Sequence, residues 1–307
     1  MESGTTTLTN FRLFERTLYI SLLDNLDNDN FGPNDYTWEM RGEGVDVGRR
    51  GPDKIASHYT PGMYPNPGRN ASGGGRGSFI WGMSWNRSGS RIAYADYSKN
   101  KVRIAYRSGH QLVGENSPYA SNRVRNCSAN RPTDTAWDSS GNVYMLESYM
   151  NRITIFDSSG NFVKRIGGYG TGCSQWQLSH SFAIYNDRIY IADTYGHRIV
   201  ILDLNGGCIG TKSTAISHPL AIAVGSTATF VSHYAGGSIG SYISTYTTGS
   251  LSWGSREEMG SGNVNWTWGM NLNSAGNKLI IADDRNNALV EYVVSGTSVG
   301  AQTNQTS

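Results

Sequence analysis

One pattern recurs five times along the chain and constrains its fold more than any other feature. It is an apolar pair, a loop-forming Gly or Asn, an alternating run that ends in an acid, and a turn into a second apolar run. The pattern runs from Trp81 to Trp85 and then from Ala93 through Asp96 to Val102. It returns from Asp134 to Trp137 and then from Tyr144 through Glu147 to Ile153, and again from His180 to Ile184 and then from Tyr190 through Asp193 to Ile199. A degenerate copy joins His218–Ile222 to Phe230–Tyr234, and a clean one joins Trp268–Met270 to the run from Ile281 through Asp283 to Leu289. With Asp96, Glu147, Asp193, Ser232 and Asp283 as markers, the copies lie about 51, 46, 39 and 51 residues apart, which is the range of propeller blades.

The local chemistry points the same way. Segments such as Arg188 to Asp193 and Lys278 to Asp283 are short, rich in β-branched and aromatic residues, and bounded by Gly, Asn, Asp and Ser, as half-buried strands are. Long amphipathic helical patterns are missing. A single small sheet cannot bury both faces, so such repeats must stack side by side around a channel, each supplying half of its neighbour's core. Trp85, Trp137, Ile184 and Ile222 then belong to the packing of inner strands. The expected fold class is all-β, a β-propeller.

These residues also resemble the NHL-repeat family of β-propellers, whose repeat reads approximately as Asp, a short turn, Asn-Arg-Ile, a strand, then Asp and Gly. The closest copies are Glu147 to Gly160, with Asn151, Arg152, Ile153 and Asp157, and Asp193 to Gly206, with His197, Arg198, Ile199 and Asp203. The resemblance covers about 80 residues closely and about 230 loosely. It implies a fold and no particular activity, because propellers host enzymes, scaffolds and binding modules alike.

Six blades are favoured over five. Ile55 to Tyr59 echo Phe230 to Tyr234, and Ser57 lies about 39 residues before Asp96, which puts a divergent blade within residues 40–75. The last repeat, near Val290 to Val299, reads one strand short, and Arg12 to Leu22 is the natural donor of a closing strand. The expected organisation is a ring-closing strand in 1–23, an extended arm or long loops in 24–77, blades in 78–299 and a polar tail in 300–307. In the arm, Pro33, Pro52, Pro61, Pro65, Pro67 and the Gly73–Gly75 run interrupt any regular element.

Charge is unevenly placed. The 307 residues carry a net charge of +2, yet residues 1–131 hold seventeen Lys and Arg against twelve acids, and 132–307 hold nine against twelve. Arg outnumbers Lys twenty to six, which favours fixed, forked contacts over a freely solvated cationic surface. Arg103, Arg107, Arg123 and Arg125 are therefore read as an interface with other protein chains. A nucleic-acid partner is disfavoured, since only Tyr106 and Tyr119 lie near this cluster and no recognition motif surrounds it.

Cys127, Cys173 and Cys208 have no metal-ligand spacing and leave one over after any single disulfide, so they are read as free, buried thiols. Leu18 to Leu23 is too short for a signal core, and no segment approaches a membrane span. Asp24 to Gly32 offers alternating oxygen ligands, but Phe31 takes a ligand position and Glu39 falls out of register, so no calcium loop is expected.

The sharper constellation lies at the starts of inner strands. His180 and His218 hold equivalent positions in adjacent repeats, which places both at the mouth of a central channel. In this they resemble the six-bladed peptide-amidating lyases, which set zinc-ligand histidines at such strand starts; Tyr149 matches that family's functional tyrosine. Trp81, Asp134 and Trp268 occupy the corresponding starts in other repeats, however, and Thr194 stands where the family has an arginine. Zinc would lack its third protein ligand.

The expectation is thus a non-enzymatic β-propeller that acts as an assembly or binding module, without metal or cofactor. Its polar, Lys-poor composition suits a component of a larger particle such as a phage virion or tail. Two alternatives stand beside it: a metal-dependent lyase at the channel mouth, and a carbohydrate or peptide binder that uses Trp81, Trp268 and Tyr149 as aromatic platforms with His180 and His218.

Overall fold

The structure is a computed structural model that describes residues 40–41 and 80–306, apart from 87, 89–90, 97–100, 109–110, 115–131, 236–237, 251, 259–266, 274–275 and 284–287. Among the described residues five sheets follow one another in chain order. The first holds β2 (Ile80–Trp85), β3 (Arg91–Asp96), β4 (Lys101–Ser108) and β5 (Gln111–Gly114), with β1 (Met40–Arg41) parallel to β5 at its outer edge. The second holds β6 (Pro132–Trp137), β7 (Val143–Glu147), β8 (Arg152–Phe156) and β9 (Phe162–Gly167). The third is β10 (Ser181–Tyr185), β11 (Arg188–Asp193), β12 (Arg198–Asp203) and β13 (Cys208–Lys212). The fourth is β14 (Pro219–Val224), β15 (Ala228–Ala235), β16 (Ser238–Thr247) and β17 (Trp253–Glu258). The fifth is β18 (Thr267–Leu272), β19 (Lys278–Asp283), β20 (Ala288–Ser295) and β21 (Ser298–Thr306).

Within each sheet the four consecutive strands form an antiparallel meander, and the first strands β2, β6, β10, β14 and β18 lie side by side in that order. This is a β-propeller, as the repeat period implies. The core explains why the blades stack. In β11, Ile189 and Ile191 enter a cluster with Leu146, Ile153 and Phe182, while Tyr190 and Ala192 enter another with Ile222, Val231 and Tyr246. Successive side chains of a strand point to opposite faces, so one strand feeds the seams on both sides of its blade and is buried along nearly its whole length. Val143 and Met145 face Ala93 and Ile104 in the same way, and Leu279 and Ile281 face Phe230 and Ile243. Trp137 and Ile222 are buried in these seams, and the Trp137 indole Nε1 donates across a seam to the Ser84 carbonyl at 3.0 Å.

Asp96, Glu147, Asp193 and Asp283 each end the second strand of a sheet and therefore stand at one end of the ring. Strand register corrects the fourth marker. Glu147 lies opposite Pro132 and Asp283 opposite Thr267, and the residue opposite Pro219 is His233, so His233 rather than Ser232 holds the acid's position. The opposite end carries a recurrent hairpin turn. Asp138, Asp157, Asp203 and Asn273 each accept a backbone N–H from the residue four positions on, and a glycine with positive φ precedes that residue.

Two expectations are corrected. The last sheet already has four strands, because Ser298–Thr306 pairs with β20; a polar composition does not prevent an outer blade strand, which has one face in water, so 300–306 is not a tail. Cys173 and Cys208 are not free thiols but a disulfide. They are 35 residues apart in sequence, and the fold brings their Cα atoms to 5.5 Å by laying the β9–β10 connection against β13. The expected closing strand Arg12 to Leu22, the divergent blade in 40–75 beyond Met40–Arg41, and Arg123, Arg125 and Cys127 lie outside the described residues.

Candidate functional site

The end of the ring that bears the acids is assembled from buried ion pairs upward. The Glu147 carboxylate is fully buried and receives Arg152 Nε at 3.1 Å and Nη2 at 2.8 Å, with the Thr154 hydroxyl as a further donor. In the next blade the fully buried Asp193 receives Arg198 Nε at 2.8 Å and the N–H groups of Gln177 at 2.7 Å and Gly196 at 3.1 Å. These are structural acids, as buried charges must be when they are paired and hydrogen-bonded. The fourth blade makes the same joint without a carboxylate or a guanidinium. There His233, Tyr242 and Ser244 occupy the register positions of Glu147, Arg152 and Thr154, and Ser244 Oγ lies 2.9 Å from His233 Nε2.

The ion pairs organise the loops above them. Arg198 donates from its terminal nitrogens to the carbonyls of Thr171 at 2.7 Å, Gly172 at 3.0 Å and Gln175 at 2.9 Å, so one guanidinium holds the long connection 168–180 in place. The Cys173–Cys208 disulfide ties that connection to β13, and Trp176 anchors it from below with no exposed surface. Gly167 makes room for this indole: it has φ +96°, and a Cβ there would fall 2.0 Å from the ring. The neighbouring turn joins the same network. Asn151, in the left-handed region at φ 51°, accepts the Leu178 N–H on Oδ1 at 2.6 Å, and the Tyr195 N–H donates to the Gln177 carbonyl at 3.1 Å.

On this framework stand Tyr149 (46% exposed), Met150 (40%), Tyr169 (72%) and Tyr195 (54%). Tyr149 sits on the 3-10 turn between β7 and β8, Tyr195 on the turn between β11 and β12, and Tyr169 on the connection pinned by Arg198. Three loops from adjoining blades thus expose tyrosines to solvent while hydrogen bonds tie the loops to one another.

The histidines extend this set of rings to the fourth blade. The His218 backbone N–H donates to His197 Nδ1 at 3.1 Å, and the two rings stack edge to face with centroids 4.1 Å apart; Tyr195 meets His218 edge-on at 5.8 Å. Burial, and then the neighbouring His197, push the His218 imidazole below its ordinary range. His180 retains part of its surface, but its Nδ1 is shut away from water and burial pushes its imidazole down to about 4. Both rings are therefore neutral at pH 7. His233 is committed to Ser244, and among the described residues no three His, Cys, Asp or Glu side chains are grouped so as to hold a metal ion.

His180 and His218 immediately precede the inner strands β10 and β14, but their register differs: His180 comes one residue before Ser181, which faces Ala192, and His218 three residues before Ala221, which faces Ser232. Trp81 and Trp268 lie in the inner strands β2 and β18, and Arg103 and Arg107 in β4. Asp134, which faces Leu146 within β6 as Ser181 faces Ala192 in β10, is buried in the wall: its Oδ2 accepts the Phe182 N–H from the adjacent inner strand at 3.1 Å, and Gly82 leaves it space. Sequence reasoning missed Tyr169, Tyr195 and His197. Tyr195 was legible, since it follows Asp193 by two positions just as Tyr149 follows Glu147. Tyr169 was not, because it lies in a connection outside the repeat.

Comparison with known proteins agrees with this architecture. A family described as a 6-bladed beta-propeller matches residues 134–229, in keeping with the favoured blade number. No curated protein matches the chain. Among solved structures, virginiamycin B lyase from Staphylococcus aureus is 14% identical with a TM-score of 0.53, over 73% of this chain and 69% of that one. A streptogramin B lyase is 14% identical with a TM-score of 0.54, over 74% and 69%. A nidogen/laminin complex is 12% identical with a TM-score of 0.54, over 73% and 80%. At such identities the likeness is one of fold, and the fold is that of a β-propeller. Among the described residues no helix is long and apolar enough to cross a membrane.

Proposed function

We propose that this chain is a non-enzymatic binding module, a β-propeller that works within an assembly of protein chains and offers one end of its ring to a ligand. The observation that carries this reading is the set Tyr149, Tyr169 and Tyr195, exposed on loops that are tied to one another and to buried ion pairs. Large aromatic surface held rigidly in water loses little entropy on binding, which is what a recognition surface requires. The acids beneath it are spent on internal pairs and support the loops.

Contacts with other protein chains are assigned to the N-terminal arm and to the Arg103, Arg107, Arg123 and Arg125 face. Met40–Arg41 adds a parallel strand to the edge of the first blade, which is how an extended arm engages a sheet. The Lys-poor, polar composition suits a particle such as a phage virion or tail, and the nidogen/laminin complex among the fold neighbours is in keeping with a propeller acting through protein contacts. The second reading is a lyase, favoured by the names of two fold neighbours and by His180 and His218 at strand starts.

Fractionation of the native source separates these readings. The chain is expected to travel with a high-mass particle, and Arg103→Glu with Arg107→Glu is expected to weaken that association in a salt-dependent way with unchanged melting. A free monomer that carries one zinc per chain and turns over a lyase substrate would overturn the proposal.

A further inference from the structure

The four described loops that carry the tyrosines and histidines at this end of the ring hold no charged residue of their own. Residues 148–151, 168–180, 194–197 and 213–218 contain no Asp, Glu, Lys or Arg, although 16% of the chain is charged. The charges nearest to these loops point inward: Glu147 with Arg152, and Asp193 with Arg198, whose spare donors go to loop carbonyls. Lys212 ends β13 at the outer margin. What these loops present is aromatic faces with hydroxyls, amides and imidazoles between them.

We infer that this surface binds an uncharged saccharide chain, a proposal that rests on the binding-module reading above. A sugar ring has an apolar face of C–H groups and a rim of hydroxyls. It therefore matches a tyrosine that is apolar in body and polar at its tip, with amide and hydroxyl neighbours to take the rim. A charged partner, whether acidic glycan, nucleic acid or charged peptide, would find no counter-charge on these four loops and would lose hydration on docking. The arrangement also suits an extended polymer. Tyr149, Tyr169 and Tyr195 come from successive loops of adjoining blades, so a ligand long enough to span those loops can engage more than one of them. Their preorganisation by the Leu178–Asn151 and Gln177–Asp193 hydrogen bonds keeps the loops fixed before the ligand arrives.

The test uses the full chain and soluble, uncharged hexose and N-acetylhexosamine oligomers, with binding followed calorimetrically at low and high salt. Wild-type protein is expected to bind one class of neutral oligomer with an affinity that salt leaves unchanged. Tyr149→Ala, Tyr169→Ala and Tyr195→Ala should each weaken binding about tenfold, while the corresponding Tyr→Phe variants retain most of it and all melt as wild type. Failure to bind neutral oligomers by a chain that still travels with the native assembly overturns the saccharide inference and leaves the binding module standing. No binding of oligomers by a chain that also travels as a free monomer overturns both. Binding only to anionic oligomers with steep salt dependence also overturns the inference.

Discussion

Arg198 is the side chain on which the most structure converges, and its removal tests how the ring end is held together. It pairs with a carboxylate that has no exposed surface, is itself 13% exposed, and spans to three carbonyls of the 168–180 connection. Removing one partner of a buried pair costs about 3–5 kcal/mol, since the other charge is left uncompensated. Asp193 keeps the Gln177 and Gly196 N–H donors, which moves the electrostatic loss towards the lower end. The three carbonyl bonds lie near solvent, where water replaces the donor, and add about 0.5 kcal/mol each. Arg198→Ala is therefore expected to destabilise by about 4 kcal/mol. Arg198→Lys should recover part of this, because an ammonium can meet Asp193 but cannot fork to the loop. The assay is urea unfolding combined with hydrogen exchange of the 168–180 amides. A cycle with Asp193→Asn should give a coupling of about 2 kcal/mol or more. A loss below about 1 kcal/mol, or a full loss with unchanged exchange in 168–180, would refute the reasoning.

Two further outcomes follow from the same end of the ring. Unfolded His180 takes a proton near 6.5 whereas the folded one resists down to about 4, so its contribution is complete above pH 6.5 and is lost as pH falls towards 4. The loss reaches about 3 kcal/mol, and His218 is shifted in the same direction. Urea midpoints of wild type and His180→Gln should converge across that window, and parallel pH profiles would show that burial of this imidazole is not felt. Cys173→Ser with Cys208→Ser should cost about 4 kcal/mol from the closed loop of 35 residues. Thermal melting with and without a dithiol reads this effect, which should vanish in the double variant; a reductant that leaves wild type unchanged would argue against the cross-link.

The sequence by itself determined the architecture. Alternation in Arg188–Asp193, with β-branched and aromatic residues on both faces, demands a blade buried between two others, and the recurrence of that segment demands a ring of them. The pairing of Glu147 with Arg152 and Asp193 with Arg198 was likewise legible, because residues five apart across a tight turn face each other in an antiparallel hairpin. Tyr149 could be picked out because it lies inside the repeat. Tertiary structure alone decided the remainder. Cys173 meets Cys208, and Arg198 meets Thr171, Gly172 and Gln175, because a connection outside the repeat folds back over the next blade; no periodicity encodes where such a segment lands. His218 of the fourth blade stacks on His197 of the third. A repeat fixes which residues share a strand and which face they take. Contacts between a loop and its neighbour blade depend on bulges and on chain reversal, which only the packed ring sets.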